Sequence, residues 1–157
     1  MDIYYKYDIN GIGYKSNDLN ILKYDNIVYL NCDRNELIDL PILPKYLTIL
    51  HCSYNNLVNL PILPNNLINL HCYYNKLIDL PILPNCLEIL YCLENKLINL
   101  PKLSNNLRRL RCEDNKLINL PKINKLITLK YDKYIIKYIN QYNIDLIQIK
   151  IYYYIKL

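Results

Sequence analysis

The sequence has no alanine, phenylalanine or tryptophan, and its two glycines, Gly11 and Gly13, both lie near the N-terminus. Without glycine elsewhere, a Gly-rich loop that cradles phosphate is excluded from the rest of the chain. No two cysteines are spaced C-x-x-C, the arrangement typical of structural zinc sites. No Ser-His-Asp arrangement and no pair of carboxylates in a recognisable catalytic setting is present. The expectation is a protein that is not an enzyme and holds no metal or cofactor. Nor does any uncharged apolar run approach the ~18 residues of a membrane-spanning helix. The opening MDIYYKYDINGIG carries Asp2 and lacks the apolar core of a secretory signal. A cytoplasmic address and no membrane association are expected.

What is present is uneven. Ile, Leu, Asn, Tyr and Lys dominate; Ile, Asn, Tyr and Lys have AT-rich codons, so the bias reads as genomic rather than chemical, although the missing phenylalanine does not fit that account. The 157 residues are 52% hydrophobic, which suits one folded domain. Residues 1–120 hold twelve basic and twelve acidic side chains, whereas residues 121–157 hold seven lysines and two aspartates, so the tail carries the whole net charge of +5. Those lysines are scattered among Ile and Tyr, and the pI of 8.8 lies below that usual for nucleic-acid binders. No nucleic-acid partner is expected.

The strongest feature is a repeat of twenty residues, L-x-x-L-x-C-x-x-N-x-L-x-x-L-P-x-L-P-x-x, with copies starting at Ile27, Leu47, Leu67, Leu87 and Leu107. Within each copy x-L-x-C-x alternates, so Leu50 and Cys52 point one way while Ile49, His51 and Ser53 point the other, as a half-buried strand requires. One such strand cannot hide its apolar side. Stacking successive copies produces a parallel sheet about 4.8 Å between strands, in which each apolar slot becomes an internal ladder. Pro41 and Pro44, Pro61 and Pro64, and Pro81 and Pro84 disfavour helix and predict an extended return path.

The repeat L-x-x-L-x-C-x-x-N-x-L resembles the leucine-rich repeat pattern, with cysteine in its third apolar slot. Its L-P-x-L-P return is similar to the short class in type-III-secreted bacterial effectors, and its Cys-bearing, Asn- and Ile-rich form resembles repeats of amoebae and of the giant DNA viruses that infect them. The resemblance covers about two thirds of the chain and implies an α/β-type, mainly β solenoid. The parallel sheet would line the concave face, with an extended convex side and capped ends. Some such effectors are ubiquitin ligases whose catalytic cysteine lies in a helical domain after the repeats; the 36 residues that follow Pro121 contain no cysteine, so a binding module is expected instead. If the source is viral, the cytoplasm is that of the host.

Three regions are expected: an N-terminal cap at residues 1–26, with a hairpin around Asn10-Gly11 and one helical turn; repeats at 27–134; and a C-terminal cap at 135–157. The repeats comprise five full copies and a degenerate sixth, in which Leu126, Leu129, Tyr131 and Tyr134 arrive one residue early. The C-terminal cap should contain a short helix and one long strand.

Function is expected in the variable slots of the concave face. Candidate partner-binding residues are Tyr29, Ile49, His51, Tyr54, His71, Tyr73, Tyr74, Tyr91, Arg109 and Arg111, since exposed aromatics rimmed by arginine typify interface anchors. Tyrosine is also a good strand former in its own right. His51 and His71 should be neighbours, yet two imidazoles without a third ligand make a poor metal site. Cys32, Cys52, Cys72, Cys92 and Cys112 read as buried core thiols, and Cys86, in the return loop, as an exposed thiol. The first functional expectation is a non-enzymatic module that holds a protein partner, of a host if the source is an intracellular virus or parasite. The alternative is a homodimer formed by pairing the C-terminal strand through Ile147, Ile149, Ile151 and Tyr153.

Overall fold

The computed structural model describes residues 1–8, 10–121, 128–130 and 150–151. The described residues form a solenoid around one nine-stranded sheet. An antiparallel pair, β1 (Ile3–Lys6) and β2 (Tyr14–Ser16), precedes the repeat strands β3 (Tyr29–Asn31), β4 (Ile49–His51), β5 (Asn69–His71), β6 (Ile89–Tyr91) and β7 (Arg109–Arg111). Then follow β8 (Thr128–Lys130) and β9 (Lys150–Ile151). The order is β2-β1-β3-β4-β5-β6-β7-β8-β9, with every pair from β3 onward parallel.

Register follows the period. Leu30, Leu50, Leu70, Leu90 and Leu110 lie opposite one another and are each fully buried, as are the five cysteines two positions further on. Leu129 then sits opposite Leu110, one residue short of a full period, as the early sixth copy predicts. Ladders at Ile27/Leu47/Leu67/Leu87/Leu107 and Leu57/Leu77/Leu97/Leu117 complete the core beside the strands, while Leu40/Leu60/Leu80/Leu100 and Leu43/Leu63/Leu83/Leu103 fill it from the return side.

Each repeat strand is only three residues long because the chain turns directly after the cysteine. Arg34, Tyr54, Tyr74, Glu94 and Asp114 take left-handed φ between 52° and 59°, although none is glycine. The following asparagine locks the turn. Asn55 Oδ1 accepts from the amides of Asn35 and Leu37, while its Nδ2 donates to the carbonyls of Cys32, Cys52 and Ser53. Asn75, Asn95 and Asn115 repeat this bridge from coil to coil. Asn35 has no earlier repeat to grip, and its Nδ2 donates instead to Asp2 O, next to β1.

The early turn corrects one expectation. Ser53 does not share the outer face with Ile49 and His51: it is fully buried, and Leu93 and Glu113 in the same slot are nearly so. Strand alternation ends at the cysteine.

The return path is extended, as its prolines predict. Pro44, Pro64 and Pro84 each accept at the carbonyl from the amide three residues on, which bends the chain into the next strand; Ser104 keeps this bond in the fourth turn. Ser104 Oγ also donates to Asn85 O at 2.6 Å. At the N-terminus, a 3-10 turn at Leu19–Lys23 is capped by Asp18, whose side chain accepts from the Asn20 amide. The hairpin is present, but Asn10-Gly11 lies within a longer connection and no glycine has positive φ, so it is not the tight two-residue turn that an Asn-Gly step favours. β1 pairs antiparallel with β3 and covers the first edge of the parallel stack.

At the other end β9 pairs with β8, Ile151 opposite Leu129. The expected helix, the remainder of the long strand, and Ile147, Ile149 and Tyr153 lie outside the described residues.

Candidate protein-binding face

The outer side of each repeat strand carries two side chains, and the stack turns them into rows. The first row reads Tyr29, Ile49, Asn69, Ile89, Arg109; the second reads Asn31, His51, His71, Tyr91, Arg111. Parallel register places chemically similar side chains one strand apart, close to the preferred stacking distance of flat rings. His51 and His71 are parallel, 4.2 Å between centroids, and His71 lies 4.6 Å from Tyr91. Tyr29 meets His51 edge-on at 5.6 Å. The Lys6 ammonium lies over Tyr29 at 5.9 Å and the Arg111 guanidinium over Tyr91 at 6.0 Å. A single aromatic column therefore runs across β3 to β6, with Lys6 at one end and Arg111, ion-paired with the buried Glu113 carboxylate, at the other.

A second column forms where the chain leaves the strands. Tyr54 and Tyr74 stack at 4.7 Å, Arg34 covers the free face of Tyr54 at 4.1 Å, and Tyr73 bridges to the first column by lying between Tyr54 and His71. Left-handed φ at Arg34, Tyr54 and Tyr74 aims these side chains alongside one another.

The structure thus joins Tyr29, His51, Tyr54, His71, Tyr73, Tyr74, Tyr91 and Arg111 into one surface. Ile49 and Arg109 lie in the adjoining row, Ile49 half-buried and Arg109 exposed. Arg34, which belongs to the same surface, is not among the residues that sequence reasoning selects; its sign was its shared slot with Tyr54 and Tyr74.

Electrostatics favour neutral rings. Burial pushes the His71 imidazole down to about 4, with the neighbouring His51 adding to the effect. His51 is also lowered by burial, against the pull of the Asp33 carboxylate. An unfolded chain takes up these protons near pH 6.5 while the folded chain resists, so the pair contributes stability that is present above about pH 6.5 and is lost as pH falls toward 4. Asp33, raised chiefly by burial, acts in the opposite sense. The difference between wild type and His71→Tyr is therefore the informative quantity: the variant keeps a stacked ring without the proton site, and its thermal midpoint should fall less between pH 7 and pH 5. Parallel losses in the two proteins would contradict the burial assigned to His71.

The thiols supply no reactive group here. Burial raises Cys32 and Cys72 to about 12 and Cys52 and Cys92 well above their ordinary value, and all six cysteines are free. Cys86 corrects its expected role as an exposed thiol. It is half-buried, and its Sγ donates to Asn65 O at 2.9 Å, as Asn106 Nδ2 does to Asn85 O in the next coil. Cysteine thus replaces asparagine as the donor of that slot. Among the described residues no cluster of three or more His, Cys, Asp or Glu could hold a metal ion, and no helix is long and apolar enough to cross a membrane.

Sequence reasoning also passed over the return side, where Ile42, Ile62 and Ile82 are almost wholly exposed. Their constancy within P-I-L-P made them look like architecture.

Buried leucine ladders, an asparagine bridge in every turn and a parallel sheet of one short strand per coil define a leucine-rich repeat protein of the short, twenty-residue class. Among solved structures it is similar to YopM from Yersinia enterocolitica, at 39% identity over 69% of this chain and 25% of that one, with a TM-score of 0.68. It is also similar to the leucine-rich repeat domain of a Shigella effector, at 37% identity over 73% of this chain and 54% of that one, with a TM-score of 0.65. YopM from Yersinia pestis, a leucine-rich effector, matches at 28% identity over 67% of this chain and 37% of that one, with a TM-score of 0.57. The chain spans between a quarter and about half the length of these proteins. No protein-family model matches it, and no curated protein does.

Proposed function

We propose that the chain is a non-enzymatic protein-binding module that holds its partner on the outer, concave face of the sheet. The observation that carries this reading is the continuous aromatic column from Tyr29 to Tyr91, continued by Arg111 and flanked by the Arg34–Tyr54–Tyr74 stack. A rigid sheet holds these groups in place before binding, so little side-chain freedom remains to be lost. Because the rings cover one another's faces, they offer their edges, with the imidazole nitrogens and tyrosine hydroxyls. Aromatic edges carry partial positive charge, which suits the carbonyl and carboxylate oxygens of a protein surface.

Similarity to effector repeat domains supports a partner in a host cell, and buried, reduced thiols suit the cytoplasm. The test is capture from host cytosol by wild type and by a variant carrying His71→Ala, Tyr73→Ala and Tyr91→Ala, with both shown by circular dichroism to be folded. A protein bound by wild type and released at least tenfold more readily by the variant is the expected result. Equal retention by both would place binding elsewhere.

A further inference from the structure

We propose that the isoleucine row on the return side, Ile42, Ile62 and Ile82, joins two copies of this chain in an antiparallel, two-fold dimer. These side chains are 88%, 89% and 90% exposed, while the leucines that follow them, Leu43, Leu63 and Leu83, are buried. Each of these three coils therefore turns one aliphatic residue outward and the next inward. Stacked coils align the outward ones into a ridge, and Leu43, Pro61, Leu63 and Pro64 floor the cleft between Ile42 and Ile62, with Lys45, Asn65 and Asn66 along its polar side. Proline before each isoleucine removes a backbone donor, so association here runs through side chains rather than by adding a strand.

The spacing makes the ridge complementary to itself. With Ile62 near a two-fold axis, Ile42 meets the partner's Ile82 and the reverse contact forms with it. Charge at the two ends selects this arrangement. One coil beyond Ile82 the slot is filled by exposed Lys102. At the opposite end, the cleft that Ile42 shares with Pro41 and Leu43 is bordered by Asp18, Lys23 and Asp25. Asp18 is engaged in capping the 3-10 turn, and the Lys23 ammonium lies over the Tyr24 ring at 5.5 Å. Two carboxylates against one ammonium leave this end with a net negative charge, and the exposed Asp25 side chain is placed to receive a cation. Antiparallel pairing brings Lys102 to the partner's Asp25 at both ends, whereas parallel pairing sets Lys102 against Lys102. An apolar ridge with opposite charges at its ends thus fits a second, inverted copy of itself. The ridge is narrow, so the dimer is weak and concentration-dependent, and the sheet face stays open.

Analytical ultracentrifugation over a concentration series up to the solubility limit tests the proposal. Wild type should pass from monomer to dimer, and Ile62→Lys should remain monomeric at every concentration with an unchanged unfolding midpoint. Lys102→Asp should weaken association at least tenfold, and adding Asp25→Lys should restore it. A wild type that stays monomeric throughout overturns the proposal. So does a dimer indifferent to Ile62→Lys, or a charge swap that restores nothing.

Discussion

Asn95→Ala is expected to destabilise the solenoid by about 3 kcal/mol or more. Its Nδ2 donates to the carbonyls of Cys72, Cys92 and Leu93, and its Oδ1 accepts from the Leu77 amide. The side chain is buried, so truncation deprives four backbone groups of one partner each where water has little access. A buried group left unsatisfied costs roughly 1–3 kcal/mol, and partial relaxation of the turn offsets some of the sum. Two of the four bonds reach the preceding coil, so the loss falls on the contact between neighbours, the quantity that holds a repeat array together. Asn95→Asp should be no better, because a carboxylate turns three donations into repulsions between oxygens. The control lies in the same coil: Asn99 is exposed, and Asn99→Ala should shift stability by less than about 0.5 kcal/mol. Urea midpoints that coincide for Asn95→Ala and Asn99→Ala would remove the asparagine ladder from the account of stability.

Much of this architecture was legible because a strict period leaves few alternatives. Once Leu50, Leu70 and Leu90 are assigned to one slot, parallel pairing puts them opposite one another, and the early arrival of Leu129 transfers directly into its pairing with Leu110. The adjacency of His51 and His71 follows from the same register, although the extension of their stack to Tyr91 depends on ring orientations that spacing does not fix. What escaped was conformation without a residue signature. The left-handed turn at Arg34, Tyr54, Tyr74, Glu94 and Asp114 carries no glycine to mark it, so alternation read from the sequence runs one residue too far and turns Ser53 outward. Cys86 escaped because hydrogen-bonding equivalence with asparagine is a property of position, not of residue type.

The isoleucine row escaped for a deeper reason, which Leu70→Ala and Ile82→Ala separate. Repetition alone ranks the two positions alike: each is an aliphatic residue in a slot that recurs every twenty residues. Burial separates them, since Leu70 is fully enclosed between Leu50 and Leu90 and Ile82 is 90% exposed. Leu70→Ala removes apolar area from the centre of the core and leaves a cavity that the flanking ladder rungs, held by hydrogen bonds to their own neighbours, close only in part. The expected loss is about 2–5 kcal/mol. Ile82→Ala takes nothing from the core, and its midpoint should lie within about 0.5 kcal/mol of wild type at concentrations where the protein is monomeric. An unchanged midpoint for Leu70→Ala would break the register on which both faces depend. With the expected pair of results, core packing explains the leucine ladder and leaves the isoleucines without a role in monomer stability. An aliphatic row displayed in three successive turns, at the cost of exposing it to water, then calls for a surface to cover it.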